Sequence, residues 1–189
     1  MHTESITSQL EEAINSKKAF LEQAGKLDQI VSIIESAVKN GGAVYACGNG
    51  GSACDAMHFV EECVARYKME RPGIKAHHLC DPGTITCWGN DYCFEEVFER
   101  QVATLMSEKD VLMVFSTSGN SENILRALAA ANKLGAHTIA LLGKKGGAAK
   151  SLARTSLIVD SEQTSRIQEA HITAVHVIVE TLENSLFPA

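Results

Sequence analysis

Hydrophobic residues along the chain follow two patterns, short continuous runs and runs that recur every three or four positions. The continuous runs predict buried strands, because a strand covered on both faces is apolar throughout. The predicted strands are 42–47, 74–80, 110–115, 137–142 and 156–159. Since a helical pattern separates each strand from the next, we expect an α/β fold, a three-layer α/β/α sandwich around a five-stranded parallel sheet.

The periodic runs predict the helices between these strands. The expected helices are 53–66, 92–106, 122–134, 148–153 and a long final one at 165–186. The stretch 84–88 is too short to assign, and Gly89-Asn90-Asp91 is expected to break the chain. Asn90 and Asp91 could bring polar groups to the rim of the sheet, or simply form a turn and a helix cap.

Two more helices are predicted before the first strand, at 3–23 and 27–39. They are not needed to complete a strand–helix unit. They therefore either cover one edge of the sheet or form an arm for oligomerisation. The length of 189 residues favours one domain over 1–189, with a helical arm at 1–40 and an α/β core at 41–189.

Composition and charge exclude several classes of protein. Hydrophobic residues make up 45% of the chain, enough for a core, and the formal net charge of −6 without a basic run argues against a nucleic-acid partner. No apolar run approaches the roughly 18 residues of a membrane span. The first residues lack the pattern of a signal peptide, so we expect a cytoplasmic protein whose six cysteines are reduced thiols.

The turn after the first strand, Cys47-Gly48-Asn49-Gly50-Gly51-Ser52, has the composition of an anion-binding site. Its glycines let the backbone approach a ligand, and the free N–H groups of the following helix point at that ligand. His58 and Glu62 follow on that helix, from about 9 Å away at 1.5 Å per residue. This pattern indicates chemistry on a small phosphorylated molecule. It does not match the nucleotide P-loop, and it lacks the last glycine of a dinucleotide site.

A second polar turn, Ser116-Thr117-Ser118-Gly119-Asn120-Ser121, follows the third strand. The carboxyl ends of parallel strands meet at one rim, so both turns are expected there. Four hydroxyl groups next to a helix N-terminus suit the oxygens of a phosphate. The alternative is helix capping, which needs only one hydroxyl.

His58 and Glu62 are four positions apart and share one helix face. This spacing suits two ligands of one metal ion or an acid–base pair, but on spacing alone a solvated pair is favoured. His176 stands among apolar residues of the final helix, where a histidine is more often part of the core.

Taken together, these motifs resemble the phosphoheptose isomerases, a branch of the sugar isomerase (SIS) domain family. The matching segments are 47–62, 71–73, 89–91, 116–121, Gly143 with Gly146-Gly147, and 166–171 with His176. The likeness runs from about residue 41 to the C-terminus and is looser over the first two helices. It implies a SIS domain assembled as a homotetramer with active sites at subunit interfaces. It also implies conversion of D-sedoheptulose 7-phosphate to D-glycero-D-manno-heptose 7-phosphate, the first step toward the ADP-heptose of lipopolysaccharide cores.

The resemblance also implies the site residues. Those expected to hold the substrate are Asn49, Gly50, Gly51, Ser52, Glu62, Asn90, Asp91, Ser116, Thr117, Ser118, Ser121 and Gln168. Those expected to hold one zinc ion are His58, Glu62, Gln168 and His176. Glu62 and His176 match the acid–base pair, with Glu62 as the main base in our hypothesis. Gln168 and His176 are about 12 Å apart along a helix, so they meet at one metal only by reaching toward each other or across subunits.

Two alternatives remain open at this stage. The chain could be a non-catalytic relative that binds a replication initiator, or an isomerase of another sugar phosphate. Because both Glu62 and His176 are present, the sequence favours the enzyme.

Overall fold

The computed structural model describes residues 2–188, in which a parallel sheet lies between helices. The strands are β1 (Val44–Gly48), β2 (Ala76–His78), β3 (Val111–Ser116), β4 (His137–Gly143) and β5 (Thr155–Val159). The helices are α1 (His2–Lys18), α2 (Ala24–Lys39), α3 (Gly51–Val64), α4 (Pro82–Asp91), α5 (Val97–Leu105), α6 (Glu122–Leu134), α7 (Ala149–Leu152) and α8 (Thr164–Leu186). Short 3₁₀ turns lie at Leu21–Gln23 and Phe94–Glu96.

The strand order β2-β1-β3-β4-β5 brings the two polar turns together. All neighbouring strands are parallel, and β1 pairs with β3 from Val44 opposite Val111 to Gly48 opposite Phe115. The chain leaves β1 toward β2 on one side and returns to β3 on the other. A crevice therefore opens between the carboxyl ends of β1 and β3, where ligands bind in sheets of this kind.

Two cores cover the two faces of the sheet. Helices α2, α3 and α8 pack on one face, over strand residues such as Ala46 and Met113. Helices α5 and α6 pack on the other, over the alternate residues such as Cys47 and Leu112. The central strands β1 and β3 are buried along their whole length for this reason. The expected three-layer sandwich, its five-stranded parallel sheet and the long C-terminal helix are confirmed.

The arm and the segment after β2 differ from the expectation. The predicted helix 3–23 ends at Lys18, and α2 begins at Ala24, because the buried ring of Phe20 turns the chain between them. The expected break at Gly89-Asn90-Asp91 was wrong, since these residues form the last turn of α4. Asp81 caps that helix, because its carboxylate accepts the N–H of Thr84 at 2.7 Å, and a proline occupies the first helical position.

Two further elements are shorter than expected. The strand expected at 74–80 is reduced to β2, which pairs only with β1 and lies at the edge of the sheet. The helix expected at 92–106 starts as a 3₁₀ turn and becomes α5 at Val97. Across residues 2–188 no helix combines the length and apolarity that crossing a bilayer requires.

Candidate active site

The two polar turns enclose a cavity of about 260 Å³ at the rim of the sheet. Its lining residues are Asn49, Gly50, Gly51, Ser52, Phe115, Ser116, Thr117, Ser118, Ser121, Thr164 and Gln168. Larger grooves of about 690 and 900 Å³ lie at the opposite strand ends and beside β2, and these turns line neither. The structure therefore brings together the residues that the sequence predicted for the phosphate.

The glycine turn is built so that its backbone faces the cavity. Gly50 has a positive φ of 57°, a conformation that favours glycine. A Cβ on Gly51 would lie 2.6 Å from the amide nitrogen of Gln168, so a side chain at this position would displace the Gln168 amide from the cavity. Since α3 begins at Gly51, its first N–H groups lie at this end of the cavity.

An amide pair ties the two turns to each other. Asn49 Nδ2 donates to Asn123 Oδ1, and Asn123 Nδ2 donates back to Asn49 Oδ1, both at 2.9 Å. Asn123 is buried in the first turn of α6. Asn123 was not predicted from the sequence, because nothing in its spacing indicates a partner 74 positions away.

The hydroxyl groups of the second turn divide into two kinds. Ser116 is buried and accepts the N–H of Gly119 at 3.0 Å, so it shapes the turn. Ser121 stands at the N-cap of α6, but its side chain makes no capping bond. Helix capping, the alternative explanation of these hydroxyls, therefore does not account for Ser121.

Further along α3 and α8, a cluster of His58, Glu62 and His176 forms. His58 Nε2 lies 3.1 Å from Glu62 Oε1 and 3.4 Å from His176 Nε2. All three ligand atoms lie within 4.8 Å of one another. The side chain of Glu62 is only 14% exposed, whereas that of His58 is 42% exposed. Spacing alone favoured a solvated pair of His58 and Glu62, but in the structure a third ionisable side chain, His176 of α8, contacts this pair.

The donor set of this cluster fits a zinc ion. Two imidazoles and a carboxylate are common zinc ligands, and two ligands at 2.0–2.1 Å on a tetrahedral ion lie about 3.3 Å apart. The observed separation of the two Nε2 atoms is 3.4 Å. Gln168 lies two helical turns earlier on α8, with its amide beside Gly51 in the cavity.

Helices α3 and α8 run side by side in the same direction. Gly51 faces Gln168 at one end, and His58 faces His176 further along. Seven positions of α3 separate the two levels, which is about 10 Å of helix. The site is therefore elongated, with the anion-binding turns at one end and the ionisable cluster at the other.

Asp55 adds a buried carboxyl group between these two levels. It lies one turn before His58, is 8% exposed, and its Oδ2 has no hydrogen-bond partner among residues 2–188. Burial raises its pKa to about 6, and the charge of His58 opposes the shift. The spacing of Asp55 with His58 and Glu62, which places all three on one helix face, could have indicated this residue from sequence.

Asn90 and Asp91 lie apart from the cavity at the exposed C-terminal end of α4. Asn90 Nδ2 donates to Asp91 Oδ1 at 2.8 Å, so the two side chains bind each other. Neither lines the cavity that the described residues form.

Comparisons with known proteins agree with the motifs. The SIS domain profile matches residues 9–143. The chain is 43% identical to the phosphoheptose isomerase of Cytophaga hutchinsonii, over 96% of this chain and 97% of that protein. It superposes on a phosphoheptose isomerase from Francisella tularensis with a TM-score of 0.91 at 37% identity, over 97% of this chain and 99% of that one. For phosphoheptose isomerase from Neisseria gonorrhoeae the TM-score is 0.92 at 34% identity, over 97% and 100%.

These matches extend over almost the whole chain, including the two N-terminal helices where the motif likeness was loose. They confirm the resemblance inferred from the motifs. The chain belongs to the SIS domain family and, within it, to the phosphoheptose isomerases.

Proposed function

We propose that this protein interconverts D-sedoheptulose 7-phosphate and D-glycero-D-manno-heptose 7-phosphate. The observation that carries the proposal is the elongated site, in which His58, Glu62 and His176 meet further along the same two helices that border the cavity between the polar turns. An extended seven-carbon sugar phosphate matches this layout, because its phosphate and its reacting carbons are at opposite ends.

The phosphate would be held at the rim by the two turns. The free N–H groups at the start of α3 and α6 supply donors and a favourable helix dipole. The residues assigned to this task are Asn49, Gly50, Gly51, Ser52, Ser116, Thr117, Ser118 and Ser121. Gln168, which lies at the same end of the site, would orient the part of the sugar next to the phosphate.

At the other end, the reaction moves a proton between neighbouring carbons through an enediol. It needs one group that takes the proton from carbon and another that handles protons on the oxygens. The Glu62 carboxylate is the main base in this proposal, and the His176 imidazole transfers the oxygen-bound proton. His58, which lies within hydrogen-bonding distance of Glu62, holds the carboxylate in place.

A zinc ion is the cofactor that we propose for this cluster. His58, Glu62 and His176 would hold it. The family resemblance implies Gln168 as a fourth ligand, but its amide lies beside Gly51 at the other end of the site, so it would reach the ion only by moving or from a neighbouring subunit. When bound, such an ion supplies a positive charge that polarises a carbonyl group and stabilises negative charge on its oxygen.

A homotetramer with sites between subunits is also part of the proposal. Helix α1 has no buried residue, and its side chains Ile6, Leu10 and Ile14 are 55%, 59% and 52% exposed. These three share one face of the helix, and such an apolar stripe supports a contact with another subunit. A neighbouring subunit would also explain how Asn90 and Asp91, outside the cavity of their own chain, could contact a sugar.

The proposed setting is the cytoplasm, in the first step toward the ADP-heptose of lipopolysaccharide cores. All six cysteines are free thiols, which supports a reducing compartment.

The direct test is to incubate the purified protein with sedoheptulose 7-phosphate, with and without a chelator, and to measure the aldose product. Fructose 6-phosphate, assayed in parallel, tests the alternative of another sugar phosphate. We expect heptose product that falls strongly when the chelator is present. No aldose under either condition would overturn the proposed function, whereas equal product under both would keep the isomerase and remove the metal from it.

A further inference from the structure

A buried ion pair joins the loop after α3 to α8, beyond the proposed catalytic cluster. Arg71 Nε donates to Glu183 Oε1 at 2.8 Å, and both side chains are 1% exposed. Removing two charges from water costs several kcal/mol per ion, and their attraction offsets this cost only when further hydrogen bonds satisfy both groups. The further hydrogen bonds of Arg71 and Glu183 therefore show which segments this ion pair stabilises.

The carboxylate of Glu183 binds three successive backbone N–H groups of the loop after α3. It accepts the backbone N–H groups of Tyr67, Lys68 and Met69 at 3.3, 3.0 and 3.3 Å. Burial acts to raise the pKa of Glu183, but the three N–H groups and Arg71 outweigh it and hold the pKa below its usual range. The carboxylate is thus a charged anchor for the loop.

Arg71 uses its remaining nitrogens to cap the end of α3. Its Nη2 donates to the carbonyl oxygen of Glu62 at 2.8 Å, and its Nη1 donates to that of Cys63 at 2.7 Å. Carbonyl groups in the last turn of a helix have no partner within the helix, so this guanidinium satisfies two of them. One of them belongs to the proposed base.

The loop then brings an aromatic ring onto the proposed acid–base partner. The ring of Tyr67 stacks on the imidazole of His176, with centroids 5.9 Å apart and planes inclined by 23°. Glu183 lies seven positions after His176 on the same face of α8, about two helical turns away. The N–H of Tyr67 is fixed by Glu183, so the carboxylate determines where the ring lies over His176.

We propose that Arg71, Glu183 and Tyr67 are positioning residues for Glu62 and His176. The ion pair holds the end of α3 against α8, and the loop that it organises restricts the rotation of the His176 ring. The kinetic part of this inference rests on the proposed function, whereas its metal-binding part depends only on the geometry of His58, Glu62 and His176.

The most direct variant is Tyr67→Ala, with Tyr67→Phe as its matched control. Tyr67 is half-buried and packs against the edge of the core, so the thermal stability of Tyr67→Ala is measured beside that of Tyr67→Phe. Tyr67→Phe keeps the stacked ring. Binding of Co²⁺ to the chelator-treated protein can be measured by visible absorption. We expect Tyr67→Ala to weaken this binding about 10-fold, as is typical when a group that supports a metal ligand is lost.

Turnover gives a second readout. We expect Tyr67→Ala to lower kcat by about 10-fold while the KM for sedoheptulose 7-phosphate stays within about twofold, because the phosphate turns are untouched. Tyr67→Phe should match the wild type in both measurements.

Arg71→Lys tests the ion pair itself, because lysine keeps the charge but cannot donate to Glu183, Glu62 and Cys63 together. Its control is Glu180→Gln. Glu180 lies on α8 like Glu183, but its ion pair with Lys68 is exposed. We expect Arg71→Lys to weaken Co²⁺ binding and to lower kcat, as Tyr67→Ala does. Glu180→Gln should change neither Co²⁺ affinity nor kcat.

The inference is overturned if Tyr67→Ala equals Tyr67→Phe in both Co²⁺ affinity and kcat. A wild-type protein that binds Co²⁺ but does not isomerise the sugar, with affinity lost only in Tyr67→Ala, would support the positioning role while the proposed function fails. Loss of kcat with unchanged Co²⁺ affinity would support positioning of the acid–base pair alone.

Discussion

His58 Nε2 lies 3.4 Å from His176 Nε2, although 118 positions separate the two residues in the chain. The contact exists because α3 and α8 run side by side on one face of the sheet, with Gly51 beside Gln168 at their other shared level. Two histidines that look like unrelated surface and core residues in the sequence thus become one cluster with Glu62.

A side chain at Gly51 should strongly weaken use of the substrate. In Gly51→Ala the new Cβ would lie 2.6 Å from the amide of Gln168, so the turn or the glutamine has to move. We expect kcat/KM to fall by about 100-fold, as misplacement of a binding group by an ångström can cause. Steady-state kinetics with the sugar phosphate would measure this. Gly25→Ala is the matched control, because nothing lies within 4 Å of its added Cβ, and its kinetics should stay at wild type.

The buried imidazole of His171 should make folding stability depend on acid. Burial lowers its pKa from 6.5 to about 4, although its hydrogen bond to the carbonyl of Leu142 opposes the shift. The unfolded chain therefore binds more protons between pH 4 and 6.5, so the stability contribution is complete above about pH 6.5 and is lost as the pH falls toward 4. This contribution amounts to roughly 3 kcal/mol.

Urea unfolding at several pH values would measure that slope. In His171→Gln the difference in unfolding free energy between pH 7 and pH 4.5 should shrink relative to the wild type. The control is His77→Gln at an exposed position, which should leave the slope unchanged. Identical slopes for His171→Gln and the wild type would contradict the prediction.

Asp55 should have the opposite dependence on pH. Its pKa is raised from 3.8 to about 6 by burial, so the folded state binds the extra proton and stability is lost as the pH rises through 6. Asp55→Asn keeps the shape without the charge. We therefore expect a higher Tm than wild type at pH 8 and no gain at pH 4, measured by thermal unfolding. A gain of equal size at both pH values would show that the charge is not the cause.

The apolar face of α1 should be required for oligomerisation. Leu10 is 59% exposed in the single chain and lies between Ile6 and Ile14 on that face. Leu10→Glu would place a charge inside the proposed contact, so we expect a lower molar mass by light scattering after gel filtration. Ser8→Glu, on another side of α1, is the control and should keep the wild-type mass. A wild-type protein that is monomeric would remove the contact altogether.

The sequence was sufficient to predict the sheet and its two polar turns. Continuous apolar runs mark strands buried on both faces, and parallel strands bring their carboxyl ends to one rim. It was not sufficient for α4. Gly89 predicts a break, but the stronger signal is the capping carboxylate of Asp81 with the proline after it.

Contacts between distant segments of the chain were also not predicted from the sequence. Two pairs form across 74 and 112 positions of the chain, Asn49 with Asn123 and Arg71 with Glu183. Each of these residues is of a polar or charged type that is ordinary on a protein surface. Periodicity places a residue on a helix face but does not say which helix packs against it. For this reason only the family resemblance implied that His58, Glu62 and His176 meet, whereas spacing alone favours a solvated His58–Glu62 pair.

In the proposed mechanism, Glu62 removes a proton from the carbon next to the carbonyl group. Exchange of the C1 proton of sedoheptulose 7-phosphate in D₂O, followed by NMR, measures this step directly. Wild type and Glu61→Gln, an exposed neighbour on the same helix, should incorporate deuterium at the same rate, and Glu62→Gln should be slower by about 100-fold or more. Deuterium incorporation by Glu62→Gln at the wild-type rate would contradict the account.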